Sequence, residues 1–348
     1  MAPFMHGTSA SEVESKIKGM TAVKSPVVCV GTAPINMGDL TCINKPVVIY
    51  TAEEAVEYFG GANKIEGFSI SEFLYAAFNI FKVQPVICVN VLDPAKHKKS
   101  VTKAAVILDS NKMITISEVG LLESTLVMKK TTTEEIVEYD GYFNNDGYYV
   151  AEITTESITS VDLAFDTLDP AAVTDEDIIG GIDLTTLDKT GLEVVNEIFP
   201  LYSMIPSVTI TPGYFSDEVR AALDAKTSNI NGKWGSMSMI DMPCTLKYGE
   251  TVAFKKEHNW IDSDQIIMYG KCKLGEDLYH QSILASLLKA QVDSKNDGVP
   301  FESPSNKNIK ASGIGYLDGD GVYIPISLDE IQANLLNENG ISTSRTKL

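Results

Sequence analysis

Three short, largely apolar runs, at 26–34, 46–51 and 85–92, dominate the first hundred positions. Runs of this length, rich in valine and isoleucine, predict strands buried on both faces, as in a mostly parallel sheet covered by helices. Between them the period changes. Thr51, followed three residues on by Glu54, is a capping pattern for a short helix that ends at Gly60 and Gly61. Ile70, Phe73, Leu74, Ala77, Phe78 and Phe81 recur at helical spacing and predict a helix over 69–82. Strand, helix and strand in this order predict an α/β layer.

The pattern shifts after residue 98. As far as 187 it is rich in short alternating segments and poor in helical ones. Strands are predicted at 104–108, 113–117, 126–129, 134–139, 148–154 and 160–165, with turns at 109–112 and 144–147. Tyr139, Tyr142, Phe143, Tyr148 and Tyr149 concentrate aromatic residues there. Near residue 189 the α/β rhythm resumes. Helices are predicted at 191–199, 217–226 (capped by Ser216), 251–257, 278–292 and 328–338, and strands at 207–211, 236–240 and 265–269. The predicted fold is multidomain: an α/β core, its sheet mostly parallel or mixed with flanking helices, carrying an inserted all-β domain. The expected boundaries are an arm at 1–24, a discontinuous core at 25–98 plus 188–345, and the insertion at 99–187. The arm has no sustained periodicity, and such a terminus orders only where something pins it.

Composition narrows the function. Lys and Arg number 28 against 47 Asp and Glu, a net charge of −19. A nucleic-acid binder needs a basic footprint, and so does a binder of anionic membranes. No segment approaches the roughly 18 apolar residues of a membrane span, and the first 23 residues lack the apolar stretch of a secretory signal. The five cysteines are scattered without a CxxC pair, and Cys29 and Cys88 lie inside apolar runs as small buried hydrophobes.

Candidate chemistry is sparse. His6, His97, His258 and His280 lie far apart and read as surface residues, with no metal-ligand spacing. Gly31-Thr32-Ala33-Pro34 follows a strand, but Pro34 removes an N–H that a phosphate cradle would use. Asp318-Gly319-Asp320-Gly321 lacks the further ligands of a calcium loop and reads as a turn. The acidic triplet Asp175-Glu176-Asp177 reads as a solvated face, and Gly235-Ser236 lacks the second glycine of a nucleophile elbow. No catalytic, cofactor-binding or metal-binding residues are therefore expected. An enzyme on a doubly wound sheet would draw on polar groups at the strand ends: Asn90, Thr211 and above all Asp241. A third class is a receptor-binding module in the inserted domain, expected to show a broad exposed aromatic patch.

In order along the chain, several segments resemble contractile tail sheath proteins of myophages and R-type tailocins. Phe4-Met5-His6-Gly7 with Ser11-Glu12-Val13 looks like the family's "HGV…E" arm. Val28-Cys29-Val30-Gly31-Thr32-Ala33 resembles "VVGxVGTA", Asn44 to Ile49 resembles "NKPVLI", and Pro85 to Val91 resembles "PVxVVRV". Thr190-Gly191-Leu192, Thr209 to Gly213 and Ser236 to Pro243 are similar to "TGL", "ILxxPG" and "aixDxP". Leu335 to Thr343 is similar to "LLNExGVTT". The resemblance spans nearly the whole chain apart from about 99–187. It implies a non-enzymatic structural subunit without cofactors, which polymerises as hexameric rings around a tail tube and contracts to drive that tube through a cell envelope. It implies as partners other copies of the chain, the tube, baseplate and tail terminator proteins, with no nucleic acid or membrane. The place implied is a virion tail or tailocin particle made in the bacterial host cytoplasm. The arm residues Phe4, His6, Val13 and Ile17 are the expected inter-subunit contacts. The family's C-terminal domain, which follows "LLNExGVTT", is expected to be absent, and the shortened form is expected to be able to stand as a monomer.

Overall fold

The computed structural model describes residues 21–344 apart from 62, 155–157 and 262–263. The arm residues Phe4, His6, Val13 and Ile17 lie outside the described residues.

The largest layer is a seven-stranded sheet. From one edge to the other its strands are Pro46–Ile49, Val86–Asn90, Val27–Gly31, Val208–Ile210, Met237–Asp241, Gln265–Tyr269 and Ile341–Thr343. Every neighbouring pair is parallel except Pro46–Ile49 against Val86–Asn90. Every residue of Val27–Gly31 and Val86–Asn90 is buried. Their largely apolar character follows from cover on both faces. Ser69–Tyr75 continues into the π-helical turn Ala76–Phe81, which packs with the helix Gln281–Ser294 on one face. Gly191–Glu197 and Asp217–Ser228 pack together on the other. Gln281–Ser294 is enclosed almost all round, with Ile283, Leu284, Leu287, Ala290 and Val292 in the core.

Local signals explain several boundaries. Thr51 caps Ala52–Phe59 through the Glu54 N–H, while the Glu54 carboxylate accepts from Tyr50 N. Ser216 caps Asp217–Ser228 through Val219 N. The predicted helix over 278–292 starts later, at Gln281, because Asp277–His280 is a strand. That strand belongs to a four-stranded antiparallel sheet in the order Asp277–His280, Lys271–Leu274, Gly313–Leu317, Tyr323–Ile326. Its hinge is Gly270, at φ +103°, where a Cβ would meet Ile314 Cδ1 at 2.6 Å. Only glycine lets the chain leave the parallel sheet and enter the antiparallel one so abruptly. The continued β-α rhythm expected for this region is thereby corrected.

Between residues 98 and 168 lie two three-stranded antiparallel sheets. One is Lys98–Ile107, Ser160–Leu168 and Val127–Lys130, and the other Met113–Ile116, Tyr149–Ile153 and Tyr139–Phe143. They enclose their own core of Ile114, Ile116, Met128, Tyr149, Leu163, Phe165 and neighbours. The strand expected at 134–139 lies instead at Tyr139–Phe143. Gly141 sets that position: a Cβ there would strike the Tyr149 ring at 2.5 Å. Residues 169–187, expected with this β-rich stretch, behave otherwise. Val173 and Ile178 join the core of the large sheet, and Asp175–Ile179 packs on Asp217–Ser228.

Candidate functional site

The carboxyl ends of parallel strands are where an open α/β sheet presents its polar groups, and a cleft of about 730 Å3 opens there. Its walls come from the loop before Ser69–Tyr75, the turn after Val208–Ile210, residues 169–173 and the hairpin that joins Lys271–Leu274 to Asp277–His280.

Three charged side chains meet in it. The Glu72 carboxylate accepts the backbone N–H of His280 at 2.5 Å and lies 3.1 Å from its ring Nδ1. The Lys271 ammonium stands 2.9 Å from His280 Nε2. Burial opposes a charged Glu72, but the positive charges of His280 and Lys271 and the hydrogen bonds from His280 outweigh it and hold its pKa at about 2. For His280, burial and Lys271 oppose the charged ring. Glu72 and a hydrogen bond with Cys244 prevail, raising it to about 10. Lys64 lies 3.2 Å from Asp277 and over the Tyr279 ring, closing a second ionic contact across the mouth. The Glu72–His280 contact binds Ser69–Tyr75 to the antiparallel sheet, and Lys64–Asp277 ties the loop before that helix to the same sheet.

The strand-end residues on which an enzyme would draw serve the fold. Asp241 accepts Ser282 N at 2.9 Å and Ser282 Oγ at 2.5 Å, so both carboxylate oxygens cap Gln281–Ser294. Burial raises its pKa, against His280, the Ser282 bonds and Lys271. Asn90, fully buried, accepts Ala33 N and Leu92 N and donates to Leu92 O. Thr211 donates to Tyr214 O. The proposed enzymatic site near Asp241 is thus a long-range helix cap.

Other singled-out residues also resolve. Thr32 N donates to Ser69 Oγ and Ser69 N to Thr32 Oγ1, and a Cβ on Gly31 would lie 2.1 Å from that Ser69 oxygen. The Gly31-Thr32 turn is a close-packed junction. Asp318 Oδ1 accepts from Asp320 N and Val322 N and shapes a hairpin turn. His97 and His280 correct the surface reading of the histidines. His97 is buried, accepts Asp93 N at 3.0 Å on Nδ1 and lies 3.3 Å from Asp177 through Nε2. His258 is half-buried, 2.9 Å from Asp217, and His6 lies outside the described residues. Of the five aromatic residues at 139–149, Tyr142 is the exposed one and Tyr149 is buried. A broad aromatic patch is therefore not formed by them.

Two chain segments meet sheet edges. Thr21–Ala22 runs parallel to Val83–Gln84, with Thr21 N donating to Lys82 O and Val23 N to Gln84 O. Ile341–Thr343 forms the outer strand of the large sheet, bonded on one side to Gln265–Tyr269. Both are positions from which a chain can continue to, or accept, a strand of another molecule.

No family model matches the chain. It is 28% identical over 370 aligned residues to the tail sheath protein of Burkholderia phage BcepMu, a match that covers 98% of this chain and 72% of that protein. Two solved structures are similar along 99% of this chain. One is a chain of the anti-feeding prophage baseplate (TM-score 0.47, 12% identity), and the other a chain of the contracted sheath complex of the PVC extracellular contractile injection system (TM-score 0.46, 10% identity). The chain spans 65% and 64% of their lengths.

Proposed function

We propose that this chain, a homologue of a phage tail sheath protein, is a structural subunit of a contractile tail sheath. The observation that carries the reading is the 28% identity extending along 98% of the chain, so that the relation involves the whole layered body and not one motif. The commitment of Glu72, Asp241 and Asn90 to holding elements together supports it.

On this reading the chain makes and breaks no substrate bond. Copies polymerise around a tail tube, and contraction exchanges one set of contacts between copies for another of lower energy, a bistable switch that needs no nucleotide. The partners are other copies, the tube, the baseplate and the terminator, within a virion tail or tailocin particle. The arm before Thr21, with Phe4, His6, Val13 and Ile17, reaches a neighbouring copy. The β-rich stretch at 98–168, with its separate core, is an inserted domain carried by the α/β body.

Electron microscopy of the purified chain, alone and with its tube protein, tests the proposal. Rings or tubes of regular subunits are expected. Particles that remain monomeric under both conditions overturn it.

A further inference from the structure

The strands Val27–Gly31 and Val86–Asn90 are parallel neighbours, and their register sets Cys29 directly beside Cys88. Both side chains are wholly buried and both thiols are free. Residues aligned on neighbouring parallel strands project to the same face of the sheet. That face is the one covered by Ser69–Tyr75: a Cβ on Gly31, two positions after Cys29, would lie 2.1 Å from Ser69 Oγ. The aligned pairs on either side, Val28 with Ile87 and Val30 with Val89, project to the opposite face.

Neighbouring strands lie about 4.7–4.9 Å apart. That spacing falls inside the range of about 4.4–6.8 Å between the Cα atoms of a disulfide. The two thiols also act on each other. Burial first, and then the charge of a Cys88 thiolate, push the Cys29 thiol well up. Cys272 differs, with Tyr279 and Ile314 as its neighbours across the antiparallel sheet. The core around Cys29 and Cys88 is built from valine and isoleucine, and valine would fill their positions. What the pair adds is the capacity to exchange two S–H bonds for one S–S bond.

We infer that Cys29 and Cys88 are a redox-sensitive pair, which a hydroperoxide converts to a disulfide that staples these two strands together. One sulfur, as its thiolate, attacks an oxygen of hydrogen peroxide. The O–O bond breaks, leaving a sulfenic acid and, with the thiol's proton, one water. The second sulfur attacks the sulfenic sulfur. The S–S bond forms, the S–O bond breaks, and the hydroxyl leaves with the second thiol's proton as another water. The two thiols lose two electrons and two protons, and the peroxide is reduced to two waters.

Because both sulfurs are buried and their thiolates disfavoured, closure follows local opening of the sheet and is slow. The bond closes the loop 29–88, which carries Ala52–Phe59, Ser69–Tyr75 and the turn Ala76–Phe81. It therefore removes conformational freedom from the unfolded chain. Directly aligned strands hold such a bond under strain, and strain makes it easier to reduce. The pair is thus a switch, closed by oxidant and reopened by thiols. The inference is independent of the sheath reading.

The test uses the whole chain carrying Cys244→Ser, which removes the half-exposed thiol. It is incubated overnight with hydrogen peroxide, then denatured, alkylated and digested without reductant. Mass spectrometry is expected to find the Cys29 and Cys88 peptides joined, two hydrogens lighter than the separate thiol peptides. The thermal midpoint of the oxidised chain is expected to rise by about 5 °C or more, and dithiothreitol is expected to reverse both changes. Cys29→Val and Cys88→Val, added singly, keep the core filled and are expected to show no rise. If a valine variant fails to fold, the peptide map and midpoint of the Cys244→Ser chain decide alone. Cys29 and Cys88 recovered unlinked after peroxide overturn the inference. So does a joined peptide without a change in midpoint, or a rise that persists in the valine variants.

Discussion

Glu72 and His280, 208 residues apart, are joined through both the backbone N–H and the ring Nδ1 of the histidine. The pair makes stability depend on pH from both sides. The pKa of Glu72, lowered from 4.5 to about 2, gives stability that is present above 4.5 and lost as pH falls through 2. That of His280, raised from 6.5 to about 10, gives stability that is complete below 6.5 and lost as pH rises through 10. Urea unfolding across pH is expected to show a plateau between about 4.5 and 6.5 and a decline on the alkaline side. His280→Gln is expected to flatten that decline. Glu72→Gln, which leaves two buried cations facing each other, is expected to cost about 3–5 kcal/mol near neutral pH. An unchanged alkaline limb in His280→Gln would rule out the histidine as its source.

Asp241 caps a helix 41 residues further on, through Ser282. Asp241→Ala is expected to lower stability by about 1–2 kcal/mol. Asp241→Asn keeps an acceptor for Ser282 N and is expected to cost less. Chemical denaturation checks the order of the two, and equal losses would refute the cap.

The cysteines differ in access. Burial pushes the thiols of Cys29 and Cys88 well up, Cys272 to about 12 and Cys42 to about 11. Cys244 is the half-exposed one. A thiol-reactive dye at pH 8 is expected to label Cys244 first in the native protein and all five only after unfolding. Prompt labelling of Cys29 or Cys88 in the native state would contradict the buried central strands.

Lys98 and Leu168 face each other across neighbouring strands. The two ends of the β-rich stretch therefore leave the α/β body side by side. Replacing residues 99–167 by a short Gly/Ser linker is expected to leave a folded α/β body with helical circular dichroism and a cooperative melt. A linker variant that fails to fold, while the full chain folds, would mean that the stretch is part of the body and not carried by it.

The buried strands were legible because a strand covered on both faces reads as a nearly continuous apolar run, as in Val27–Gly31 and Val86–Val89. The caps at Thr51 and Ser216 were legible because cap and helix are adjacent in sequence. The antiparallel sheet beyond Gly270 was not. Leu278 and Tyr279 fit the helical register of the segment that follows, and only pairing with Lys271–Leu274 makes them a strand. His97 and His280 were misread as surface residues for the same reason: a histidine's burial depends on which carboxylate the fold brings to it.

Residue order alone determined the buried strands and capped helices of the α/β body, the acidic balance, and the order of segments shared with tail sheath proteins, because these depend on short-range periodicity and on composition. Tertiary structure decided which distant groups meet. Asp241 became a cap, and Glu72 gained two cations. Contacts such as these span 41 to 208 residues. Their energies depend on burial and geometry that no local pattern encodes.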